Sequence, residues 1–171
     1  MTRYIAFLRG VSPVNAKMAD LMSCFQDLGF GDVRTVLSSG NVLFTGTARS
    51  ETTLARTLET GMADRLPRSF PATVRRVDRL AALLAQEPFS EFDIPAKAKR
   101  VVTFLREPHR GKLSFPVESD GVRILAMKGK EVFTVYEPNP RGPVFMSLLE
   151  KTFGKSITTR TLDTVRRCVA T

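Results

Sequence analysis

Apolar and polar positions alternate along the chain in two recurring rhythms, and the order of those rhythms predicts an α+β fold. The run Arg3–Arg9 is apolar at every position from Tyr4 to Leu8, the mark of a central strand covered on both faces. Met18, Leu21, Met22, Phe25 and Leu28 then follow the three-and-four spacing of an amphipathic helix, with Gly29 placed to end it and Phe30 to fold back onto its last turn. Val33–Leu37 and Val42–Thr45 flank Ser38-Ser39-Gly40-Asn41 and predict a hairpin. Ser50 caps a second helix lined by Leu54, Leu58, Met62 and Leu66, which Pro67 and Pro71 end. Thr73–Val77 reads as a strand, and Asp78 as the cap of a short helix through Leu80, Leu83 and Leu84.

The segment Glu87–Ala96 breaks this order with Pro88 and Pro95, and reads as a linker partly packed on the core. The second half then repeats the first. Arg100–Arg106 is a strand, Pro108–Ser119 a loop where the first half has a helix, and Val122–Met127 with Val132–Tyr136 a hairpin around Lys128-Gly129-Lys130. Pro143–Phe153 is a helix with Gly154 at its end, Ile157–Arg160 a short strand, and Thr161 the cap of a last helix through Leu162, Val165 and Val169. Two βαββαβ-like halves with antiparallel sheets and helices packed on them are therefore expected, at 1–86 and 97–171, joined through 87–96. Val74-Arg75-Arg76-Val77-Asp78 and Thr159-Arg160-Thr161-Leu162-Asp163, each a strand running into a helix, support a duplication.

Bulk composition adds three constraints. At 171 residues and 43% hydrophobic, the chain can build a core without staples. Cys24 and Cys168 form no disulfide framework, and the apolar run at Tyr4–Leu8 is too short for a signal-peptide core, so the cytoplasm is the expected location. The formal net charge is +9, with 18 Arg against 8 Lys. Residues 1–96 hold 11 Lys+Arg against 10 Asp+Glu, a net +1, and residues 97–171 hold 15 against 7, a net +8. That imbalance predicts an anionic partner for the second half, either a small molecule or nucleic acid contacted without sequence preference.

No complete catalytic constellation appears, and an enzyme is the least expected reading. His109 is the single histidine, in a polar loop. Cys24 and Cys168 sit on helices, where free cysteine behaves as a small hydrophobe, and two cysteines with one histidine cannot supply the four protein ligands of a zinc site. Gly154-Lys155-Ser156 has the ending of a phosphate-binding loop, but Leu149 stands where its first glycine belongs and the triplet follows a helix. Gly29-Phe30-Gly31 fails as a dinucleotide fingerprint because Arg34 occupies the third glycine position. Glu87, Glu91 and Asp93 gather acids in the linker, and Lys17, Glu91 and Tyr136 are the groups left for a site assembled by the fold. No RNA-recognition signature occurs, although the element order invites the comparison. No metal or cofactor is expected. Polar residues at strand ends and turns are the candidate ligand site: Arg9, Asn41, Thr159 and Arg160, with the two arginines as anion ligands and the other two orienting it.

These same segments resemble a known family. Leu8-Arg9-Gly10-Val11, Lys17-Met18-Ala19-Asp20-Leu21, Leu28-Gly29-Phe30, Val33-Arg34-Thr35 and Ser39-Gly40-Asn41-Val42 look like the first half of the bacterial domain-of-unknown-function 1697 family. Leu148-Leu149-Glu150-Lys151, Gly154, Thr158-Thr159-Arg160 and Thr164-Val165 look like its second half. The resemblance implies a small cytosolic bacterial protein with a duplicated, ferredoxin-like fold, and implies no activity. Two departures stand out. The family's Ile-Asn-Val-Gly-Gly-Lys after Leu-Arg-Gly is Val11-Ser12-Pro13-Val14-Asn15-Ala16-Lys17 here, and its Asn-Trp-Asn after Thr-Thr-Arg is Thr161-Leu162-Asp163, in a chain without tryptophan.

Overall fold

The computed structural model describes residues 1–142 and 144–171. Pro143, expected to open a helix, lies outside the described residues. The chain divides into two compact units: unit 1 holds Met1–Ala85 with Arg166–Thr171, and unit 2 holds Gln86–Val165. Each carries one antiparallel sheet, and five helices complete the α+β fold among the described residues.

Unit 1 runs β1 (Thr2–Leu8), α1 (Met18–Asp27), β2 (Gly31–Val36), β3 (Asn41–Gly46), α2 (Glu51–Arg65), β4 (Ala72–Arg76) and α3 (Val77–Ala85). Its strands lie in the order β2-β3-β1-β4, with every pairing antiparallel. Tyr4 to Leu8 are all buried, as the unbroken apolar run requires. On one face Phe44 touches Tyr4 at 5.5 Å, Phe25 of α1 at 5.6 Å and Phe30 at 4.7 Å between ring centroids, so four aromatics fix α1 to the sheet. The Tyr4 hydroxyl is satisfied by the backbone of Arg49, and Ser50 Oγ accepts from Thr53 N–H to cap α2. Two glutamates of α2 reach the edge strand: Glu59 accepts from Ala72 N–H and Glu51 from Arg76 N–H, both at 2.9 Å. They satisfy donors that an edge strand otherwise exposes. Asp78 lies inside the first turn of α3 rather than capping it, because Arg76 draws its carboxylate back at 2.7 Å and holds it below the usual carboxylate range.

Unit 2 runs β5 (Lys99–Leu105), β6 (Val117–Ser119), β7 (Val122–Lys128), β8 (Glu131–Tyr136), α4 (Val144–Phe153), β9 (Ile157–Thr161) and α5 (Leu162–Ala170), whose final residues from Arg166 on belong to unit 1. The strand order is β6-β7-β8-β5-β9, again antiparallel throughout. The segment expected as loop to Ser119 therefore ends in a strand. Its cause is Asp120-Gly121, both at positive φ (49° and 80°), a two-residue hairpin turn that pairs Ser119 with Val122. The segment 87–96 belongs to unit 2, where Phe89 is buried edge-on to Phe133 at 5.5 Å.

The two units share a register. Phe7 pairs with Thr73 and Ile5 with Arg75, and in unit 2 Phe104 pairs with Thr158 and Val102 with Arg160. Arg75 Nη1 donates to Val74 O at 2.9 Å and Arg160 Nη1 to Thr159 O at 3.0 Å, so the two arginines repeat even in their contact with the preceding carbonyl. Carried across to β8, this register sets Thr134 where unit 1 has Phe44. Thr134 is fully buried and its Oγ1 has no hydrogen-bond partner, a cost of about 1–3 kcal/mol for an unsatisfied hydroxyl. Thr134→Val keeps the shape and removes the orphan. It is expected to leave stability unchanged or raise it by up to ~1 kcal/mol, read as the midpoint of thermal unfolding, and a clear loss would show that the hydroxyl has a partner.

Candidate functional site

The end of unit 1 where β1 stops is built by one loop. Gly10 turns the chain at φ 86°. Asn15 then staples the loop: its Oδ1 accepts from Ser12 N–H at 2.9 Å and its Nδ2 donates to Gly10 O at 2.8 Å. Pro13 has no N–H to contribute, and the staple spans it. Val11 turns inward and packs on the hairpin turn, where a Cβ at Gly40 would lie 2.9 Å from its side chain. Lys17 leads into α1 in extended geometry with no side-chain cap, and its carbonyl accepts from the N–H groups of Asp20 and Leu21, both at 3.1 Å.

A cavity of about 210 Å³ opens there, between the loop, the start of α1 and the segment after α2. Leu21, Phe70 and Val14 supply apolar wall, and Lys17, Arg68 and Asp20 supply charge. The Arg68 guanidinium lies 5.1 Å from the centre of the Phe70 ring, which holds it in place without neutralising it. Val14 is 96% exposed at the mouth. Cations beside apolar wall are groups that can hold a small anion with an apolar part, and the Asp20 carboxylate in the same lining opposes them.

The residues expected to bind a ligand fall elsewhere. Arg9 and Asn41 are in unit 1, and Thr159 and Arg160 in unit 2. Asn41 is completely buried and donates to Val36 O at 2.9 Å and Ser39 Oγ at 3.1 Å, closing the hairpin turn. Thr159 Oγ1 is 2.8 Å from Thr103 Oγ1 across β5 and β9. Arg9 holds the strand end through its N–H on Pro71 O. None of the four lines the 210 Å³ cavity. Lys17 does, though the sequence offers it only among groups left for a site assembled by the fold; Arg68 and Asp20 are not singled out there, since nothing local marks them until the loop and the segment after α2 converge.

The other reactive groups stay apart. Cys24 is buried, and burial pushes its thiol up against the opposing pull of Arg65, so it is a protonated core residue. Cys168 is buried as well. His109, half-exposed in unit 2, meets Phe153 edge-on at 5.2 Å. Among the described residues no group of three or more His, Cys, Asp or Glu is placed to hold a metal, and no helix is long and apolar enough to cross a membrane.

A family described as "Protein of unknown function (DUF1697)" matches residues 1–133. The chain belongs to the DUF1697 family. The matched span includes all of the stapled loop and the cavity; the family-like segments from Leu148 onward lie beyond it. No curated protein matches the chain. Among solved structures, the conserved bacterial protein SP0830 from Streptococcus pneumoniae is similar over 99% of this chain and 97% of its own, at 21% identity and a TM-score of 0.68. At that identity the likeness establishes a shared fold.

Gly40 ties the site together, because it combines a left-handed backbone with contact on Val11 and Leu8. Gly40→Ala is expected to destabilise the protein by about 1–3 kcal/mol in urea unfolding. An unchanged midpoint would mean that the loop and the hairpin turn are not locked to each other.

Proposed function

We propose that this DUF1697 protein binds a small phosphorylated or otherwise anionic molecule, and that the seat is the cavity at the start of α1. The observation that carries the reading is the convergence of Lys17 and Arg68 on a concave, partly apolar site at an uncapped helix N-terminus. A cationic pair of this kind adds a contribution worth about 1.5–3 kcal/mol per charged hydrogen bond, enough to select an anion but not to distinguish one anion from another.

Two finer readings accompany it. The strand order and the shared register support two tandem ferredoxin-like halves, the second having lost the helix after its first strand. A bacterial cytoplasmic setting is in keeping with the family resemblance and with two buried free thiols.

The alternative is nucleic-acid contact through the basic second half, and its support is weaker when charge is counted by unit. Unit 1 holds 13 Lys+Arg against 7 Asp+Glu, a net +6; unit 2 holds 13 against 10, a net +3. The acids of 87–96 and the pair Arg166-Arg167 account for the reversal.

The test is calorimetric titration of the full chain with pyrophosphate and with ribose 5-phosphate. At least one is expected to bind, and Lys17→Ala with Arg68→Ala to weaken it by about tenfold or more, while Arg160→Ala leaves it unchanged. Loss through Arg160→Ala alone would move the anion to the strand end of unit 2, and absence of binding by both probes would remove the reading.

A further inference from the structure

Unit 2 has an unfinished core where unit 1 has α1. In unit 1 that helix packs on β2 and α2. The corresponding strand and helix of unit 2 are β7 and α4, and between β5 and β6 no helix occurs among the described residues. The consequence is visible in the packing. Among the described residues, the core cluster beneath α1 and α2 has eighteen buried members and five half-buried ones at its margin; the cluster beneath α4 has five buried and seven half-buried, Phe115, Val117 and Leu148 among them. Apolar side chains left half-covered on one face mark a place that something else completes.

A groove of about 610 Å³ runs there, within the range of ligand sites. One wall is a single stripe of α4, Val144, Ser147, Leu148 and Lys151, at the spacing that keeps one helix face together. Leu113 and Val117 form the other. The two ends differ in charge. Ser119 pairs with Val122, which pairs with Tyr136, and Tyr136 stacks on Phe145 at 4.1 Å, so the Asp120 turn lies at the Val144 end. Glu118 is held at 3.3 Å by Arg123. Lys151 stands about 10 Å further along α4, seven residues on, and among the described residues it makes no ion pair.

We propose that this groove binds an amphiphilic carboxylate of the fatty-acid class, its chain along Leu113, Val117 and Leu148 and its carboxylate at Lys151. A partly apolar trough with a cation at one end and a carboxylate at the other accepts such a molecule in one direction only, since the reverse orientation sets the ligand's charge beside Asp120. The site is in unit 2 and independent of the anion cavity in unit 1.

Decanoate is the probe, titrated into the full chain by isothermal calorimetry below its micelle concentration. Saturable one-to-one binding is expected. Lys151→Glu, at an exposed position, should weaken it by about tenfold, and Ser147→Trp, also exposed, should abolish it by filling the groove. The double variant Lys17→Ala, Arg68→Ala should bind decanoate as the parent chain does. Far-ultraviolet circular dichroism verifies that each variant is folded. No saturable binding, or binding indifferent to both groove variants, overturns the proposal, and loss in the unit 1 double variant reassigns decanoate to the anion cavity.

Discussion

Phe44 stands at the point on which unit 1 depends. It touches Tyr4 within its own sheet, Phe25 in the last turn of α1 and Phe30 just beyond it, so a single ring couples β3, β1 and α1. Once α1 is fixed there, its first turn has one place to be, and the loop from Gly10 to Lys17 must close the distance back to β1. Asn15 closes it with two side-chain hydrogen bonds, and Val11 locks it onto Gly40. The cavity is what remains between that loop and the segment after α2. Its position follows from an aromatic contact on the opposite end of the helix.

Unit 2 shows what the same sheet does without that constraint. Thr134 takes the place of Phe44, Thr103 the place of Ala6 and Thr159 the place of Val74. Thr103 and Thr159 bond to each other, and Thr134 is left unsatisfied. The sheet gains β6 instead, an edge strand of three residues that extends it sideways without covering its face. A strand cannot replace a helix in this role, since it adds one row of pairing and no second layer. The groove beside α4 is the geometric result.

Charge follows the same logic of where the chain is divided. A boundary drawn by composition sets the acids of 87–96 aside as a linker and places Arg166 and Arg167 with the strand that precedes them. The fold counts the acidic stretch with unit 2, where Phe89 packs on Phe133, and the terminal arginines with unit 1. Arg3 donates to Thr171 O at 2.9 Å, which is part of the reason the last residues belong there. An electrostatic argument from sequence depends on the boundary it uses.

The sequence by itself determined the elements, because each rests on neighbours in the chain. Five consecutive apolar residues make a buried strand, the three-and-four spacing from Met18 to Leu28 makes α1, and Gly29, Ser50 and Thr161 end or begin helices through contacts a few residues away. It also carried the family, through short motifs in order. Even strand β6 rests on a local signal, the Asp120-Gly121 hairpin turn. Only the tertiary structure decided which residues line the cavity. Arg68 lies some fifty residues from Lys17, and their convergence depends on α2 returning along α1. Asn41 and Thr159 carry polar groups suited to a ligand and spend them on the hairpin turn and on a neighbouring strand. A polar side chain's chemistry is written in its residue type, but whether that chemistry is already satisfied depends on partners that sequence separation hides.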